Sequence, residues 1–164
     1  MPAVGASATQ KVVSMLGAET GLPFAISTLM QRESVELPVI GAAQVAAQNI
    51  AFDAAEKTAG VTYPAVYVYC EGLANQLKEK FRTFSGKAHM VVEVRVSDNG
   101  LDNLARDLQL YAAAAAEVLD SHRGAWDDSM FYSGGYKVEF GPVKRGGRNF
   151  LQTAKISFDV DVSY

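Results

Sequence analysis

The sequence predicts an α+β fold in which a mainly antiparallel sheet packs against one long helix, and three observations predict it. Residues 136–164 hold two alternating apolar segments around the turn Lys144-Arg145-Gly146-Gly147-Arg148-Asn149. Residues 65–70 and 89–96 alternate in the same way further upstream. Between these pairs, residues 101–122 repeat apolar side chains at three and four positions, the period of a helix and not of a strand. Strands grouped around a helical segment, without regular βαβ alternation, point to segregated α and β layers.

Taken in order, Ala8, Val12, Met15 and Leu16 put an amphipathic helix over about residues 6–18, ended by Gly21-Leu22-Pro23. In residues 24–39, Val35, Leu37 and Val39 alternate around Glu36 and predict a short strand. The alanine-rich stretch 42–59 reads as helix on propensity, although Asn49, Ile50, Phe52 and Asp53 break its stripe. After Pro64, Val66, Val68 and Cys70 fall on one side of a strand, with Tyr67 and Tyr69 on the other. A polar segment, 75–86, leads to a second strand. There Met90, Val92, Val94 and Val96 oppose Val91, Glu93 and Arg95, so a slip of one residue would turn the valines outward.

Asn99 is placed to cap the next helix, with Asp102 near its positive end. Leu101, Leu104, Leu108, Tyr111, Ala115 and Val118 or Leu119 form its stripe, and the alanines 112–116 allow close approach of another backbone. Gly124 should end it, residues 126–135 read as a loop or lid, and a terminal hairpin follows. In that hairpin Val138 and Phe140 alternate with Lys137 and Glu139. Ala154, Ile156, Phe158, Val160 and Val162 alternate with Lys155, Ser157, Asp159, Asp161 and Ser163. A chain ending on a strand either pairs that edge internally or offers it to a neighbour.

At 164 residues the chain is expected to form one domain, residues 1–62 being an N-terminal helix and mixed region and 63–164 the sheet-and-helix core. A net charge of −3 argues against general affinity for nucleic acid or a membrane surface, so any DNA contact must be local. The single cysteine, Cys70, cannot form an internal disulfide, which suits a reducing compartment. No apolar run reaches the length of a membrane span, and no basic segment followed by an apolar one marks a signal peptide.

No catalytic constellation is expected. A Ser, Cys or Thr nucleophile needs a base, and the only histidines, His89 and His122, fall at a strand start and a helix end. Cys70 sits on the apolar phase of its strand, as a small core residue would. There is no cysteine pair, no His-x-x-x-His and no calcium loop, so no metal site and no cofactor is predicted. Asp127 and Asp128, and the same-face pair Asp159 and Asp161, are the acidic pairs of note; a solvated surface is their simplest role. An acidic stripe would also repel a phosphate backbone sliding past it. For the basic turn three readings stay open: a solvated hairpin tip, contact with an acidic patch of a neighbouring protein, or phosphate contact with DNA. It is not a P-loop, which needs a following helix and Gly-Lys-Ser/Thr. Phe131, Tyr132 and Tyr136, beside Gly134-Gly135, either cover a sheet edge or form a sticky loop.

The succession of Tyr63-Pro64-Ala65-Val66-Tyr67-Val68-Tyr69-Cys70, then Phe84-Ser85-Gly86, then Val94-Arg95-Val96-Ser97 resembles the tail-terminator and neck proteins of tailed bacteriophages. The helix ending Val118-Leu119, and Gly146-Gly147-Arg148-Asn149-Phe150-Leu151-Gln152 before a final alternating strand, extend the likeness. It covers residues 63–164 and, more loosely, the N-terminal helix. The resemblance implies a structural virion protein without an active site. Its subunits form a homo-oligomeric ring, commonly a hexamer, that caps the tail tube and joins the head connector with phage DNA passing through the bore. It also implies assembly in the host cytoplasm, partners in the tail tube protein and the head connector or adaptor protein, and no membrane. The region 42–61 leaves room for the sister role of another head-tail connector or tail-tube component, and a small nucleic-acid-binding module is the reading from a different class. On the ring reading Lys144, Arg145, Arg148, Asn149 and Tyr164 are interface candidates, and Asp159 and Asp161 face the channel.

Overall fold

A computed structural model describes residues 3–51, 54–55 and 61–164. Among these residues the fold is mixed α/β, with three helices and a curled eight-stranded sheet. The helices are α1 (Val4–Gly17), α2 (Leu22–Glu33) and α3 (Leu101–Ser121). The strands are β1 (Val45–Ala46), β2 (Ala65–Asn75), β3 (Ser85–Asp98), β4 (Gly124–Ala125), β5 (Met130–Tyr132), β6 (Lys137–Phe140), β7 (Lys144–Gly146) and β8 (Asn149–Ser163). They run in the order β1-β2-β3-β8-β5-β4, with β6 and β7 also paired to β8. Only the β1–β2 pairing is parallel.

The period-2 pattern of the sequence sets the register. Val92 faces Val68 on one side and Ile156 on the other, and Val94 faces Val66 and Ala154. These side chains, with Met90, Phe158, Val160 and Val162, form the helix-facing side of the core. That side is not covered by a single helix, as the sequence had suggested. α1 and α3 lie on the sheet together, and α2 packs against α3. Val4, Ala8, Val12 and Leu16 supply the buried stripe of α1, and Leu104, Leu108, Tyr111, Ala115, Val118 and Leu119 that of α3. Leu101, assigned to the same stripe, is exposed.

Several expectations are corrected. Gly21-Leu22-Pro23 does not only end a helix; it begins α2, because proline in a first turn lacks an N–H that would be unpaired there anyway. No strand forms over residues 35–39; Leu37, and Ile40 just beyond, instead drop singly into the core. The predicted helix 42–59 is a 3₁₀ turn at Ala42–Gln44 followed by β1, and residues 47–51 are irregular. The rest of it lies largely outside the described residues. Asn99 does not cap α3: Gly100 occupies the N-cap and its N–H donates to Asp98 Oδ1 at 2.7 Å. Within the expected lid 126–135, β5 pairs with both β4 and β8.

The final strand is sealed inside the sheet. β3 pairs with it along its whole length from Phe150 to Ser163, and β5, β6 and β7 occupy the other edge in turn. The chain end is held as well, since Tyr164 N donates to Phe84 O at 2.8 Å and Thr83 N donates to Tyr164 O at 2.7 Å. Among the described residues the last strand therefore lacks a strand partner on its outer edge only over short stretches, residues 158–160 being the longest.

Candidate functional site

The sheet's long strands carry two hairpins to opposite ends of the molecule, and apolar and charged side chains gather on both. At one end β2 and β3 are joined by residues 76–84. Asn75 organises this turn, its Oδ1 accepting from Leu77 N at 3.2 Å and Ser85 N at 3.0 Å while its Nδ2 donates to Thr83 O. Leu77 and Phe81 take left-handed backbone, with φ of 46° and 70°, unusual for bulky residues. Leu77 is 65% exposed and Phe81 is wholly exposed. Around them stand Lys78, Lys80 and Arg82; Arg82 reaches Glu79 at 3.5 Å, and Glu79 also accepts from Ser163 Oγ at 2.8 Å.

Beside the base of this hairpin lies a cavity of about 440 Å³. Met130, Phe131 and Val162 form its apolar floor, Asp127, Asp128 and Asp161 an acidic rim, and Lys78 and Glu79 of the hairpin its other wall. Asp127 is built in: Oδ1 accepts from Ser129 N, Ser129 Oγ and Met130 N, each at 2.8 Å, and Oδ2 meets Lys11 Nζ at 2.9 Å. The lysine and then the turn donors hold its carboxyl at about 2, well below the usual carboxylate range. Among the described residues Asp128 and Asp161 make no ion pair.

At the opposite end, the β7–β8 turn closes with Gly146 facing Asn149, and Gly147 has φ of 63°. A two-residue hairpin turn of this kind favours glycine because it needs positive φ. Lys144, Arg145, Arg148 and Asn149 are all exposed there, near the exposed Phe140 and Val143. The expected apolar phase of β6 is only partly realised: Val138 is half-buried and Phe140 projects outward. Tyr164, grouped with the basic turn as an interface candidate, is half-buried and stands at the other end of β8, tied to Thr83 and Phe84.

The sheet face away from the helices is laced with charge. Asp159 meets His89 Nδ1 at 2.5 Å and Lys87 Nζ at 3.6 Å, so it is not a bare channel-facing acid. Asp161 stands across from Lys87 in the β3–β8 register. Nearer the basic end, Arg95 and Glu93 pair at 2.8 Å with both side chains buried, and Lys155 reaches Glu93 at 3.3 Å. The Arg95 guanidinium lies 4.4 Å from the Tyr67 ring centroid and donates to Ile50 O. Burial, followed by Glu93, pushes the Tyr69 hydroxyl up to about 12. The remaining candidates keep local partners. His122 Nδ1 lies 2.8 Å from Val118 O at the end of α3, and Cys70, half-buried, donates to Gly72 O.

The alternation of β3 concealed the Glu93–Arg95 pair, since both lie on the phase expected to be wet. Ile50 lies over this face, its carbonyl accepting from Arg95, and nothing in the local pattern of β3 announces that cover. The hairpin tip had a signal in the sequence, a lone aromatic within Lys78-Glu79-Lys80-Phe81-Arg82, that reads as plain polar loop. No protein-family model and no curated protein matches this chain.

Proposed function

We propose that the chain is a structural assembly subunit, a ring component of a bacteriophage neck. It serves as the tail terminator that caps the tail tube and meets the head connector, with DNA passing through the bore. Another head-tail connector or tail-tube component of the same particle is the alternative within this reading. The observation that carries it is the placement of exposed apolar side chains: Leu77, Phe81 and Phe131 at one end of the sheet, Phe140 and Val143 at the other. Large exposed apolar residues gathered on projecting hairpins mark contact surfaces. Because β8 is sealed, subunits join through these side chains and not by adding a strand. A bore lined by the charged sheet face would be nearly balanced at Asp159, with Asp161 its acidic position.

The test is to mix the purified full chain with tail tubes and image the ends. Capped tubes of arrested length support the reading, and tubes left bare at saturating protein contradict it. The second reading, a small nucleic-acid-binding module, is favoured by Arg145 and Arg148, which make no ion pair among the described residues. It requires DNA binding that weakens steeply with salt and is lost in Arg145→Ala/Arg148→Ala.

A further inference from the structure

We infer that the chain joins a second copy of itself by seating the β2–β3 hairpin tip, centred on Phe81, in that copy's cavity between β5 and the end of β8. The inference rests on the ring reading and names the contact that closes the ring. Phe81 has no cover on its own chain, and Leu77 beside it is largely bare. Both hold left-handed backbone, a strained conformation for bulky residues that persists where the surroundings impose it. Asn75 and the Tyr164 backbone impose it here.

The receiving cavity matches the tip in size and charge. Its volume of about 440 Å³ accommodates an aromatic ring with the stems of flanking cations, and the exposed Phe131 offers that ring apolar contact. The tip carries Lys78, Lys80 and Arg82 against Glu79 alone. The receiving copy's own Lys78 and Glu79 line one wall of the cavity, and its remaining rim is acidic: Asp128 and Asp161 are in no ion pair among the described residues, as is true of Lys80 on the incoming tip. Docking the tip pairs Lys80 and Arg82 with those carboxylates.

The position of the two surfaces suits a ring. In a cyclic assembly every subunit points the same way along the axis, so contacting surfaces must lie at the same height. Tip and cavity both sit at the end of the sheet marked by Asn75, Ser85 and Ser163. They are different surfaces, so the contact can repeat head to tail around an axis. The strand edges are poor substitutes. β2 carries a register shift between Cys70 and Gly72 at the exposed Glu71, a bulge that twists the strand and blunts edge pairing.

Three full-length variants test the contact by sedimentation and native mass: Phe81→Ser, Lys80→Glu/Arg82→Glu, and Asp128→Lys/Asp161→Lys. All the altered residues are surface positions, and matching melting curves confirm intact folding. Each variant alone is expected to weaken self-association at least about tenfold. Mixing the two charge-reversed variants is expected to restore assembly, because each then supplies a tip that fits the other's cavity. A wild-type ring unaffected by all three variants overturns the contact while leaving the ring reading standing. A wild-type two-fold dimer dissolved by the variants upholds the contact and overturns the ring. A wild type that stays monomeric at every concentration overturns both.

Discussion

At the residue scale, Asp127 does structural work that its neighbour Asp128 does not. It closes its own turn and ties the β4–β5 loop to Lys11 on α1. Its carboxyl sits at about 2 in the folded protein against roughly 3.9 in an unfolded chain. The stabilisation is therefore fully present above about pH 4 and is lost as pH falls through about 2. Both partners are about one-third exposed, so solvent screening limits it to about 0.5–1 kcal/mol. Asp127→Asn should melt below wild type at pH 6, with the gap closing toward pH 2; a gap independent of pH would contradict the assignment. Tyr111 acts similarly across elements, its buried hydroxyl donating to Pro38 O at 2.6 Å. Tyr111→Phe leaves that carbonyl unpaired and should cost about 1 kcal/mol in chemical denaturation.

At the scale of elements, legibility follows how strongly a segment's own pattern dictates its environment. The valines of β2 and β3 and the apolar phase of β8 lie where alternation puts them, because each packs under helices on one consistent face. The stripe from Leu104 to Leu119 was legible for the same reason. α2 was hidden because Pro23 reads equally as a stop and as a start. β4, β5 and β7 have two or three residues each, too few to show a period; β8 offers β5 and β7 an edge, and β5 in turn offers one to β4. The two hairpin surfaces of the candidate site were visible only as composition, since burial and cavity shape arise from residues far apart in the chain. Gly86 makes a sharper test of the β2–β3–β8 centre. A Cβ there would fall on the Ala74 carbonyl oxygen, a backbone atom that cannot yield without breaking the strand pairing. Gly86→Ala should cost about 3 kcal/mol, or roughly 6–12 °C in melting temperature.

At the scale of the whole molecule, the paired final strand decides how the assembly proposed above would have to work. With β3 along one edge and three short strands along the other, β8 stabilises the fold, and on the proposed ring reading association falls to side chains. Those side chains project from the two ends of the sheet, with bare aromatics at each and a charge-laced face between. Such a subunit is suited to repeating one contact around an axis, where modest pairwise energies close cooperatively. The most direct test is the native mass of the full-length protein across a concentration series. The account predicts one closed multiple of the subunit, six on the bacteriophage resemblance, with no ladder of larger species. A monomer throughout, or an open-ended series of sizes, would contradict it.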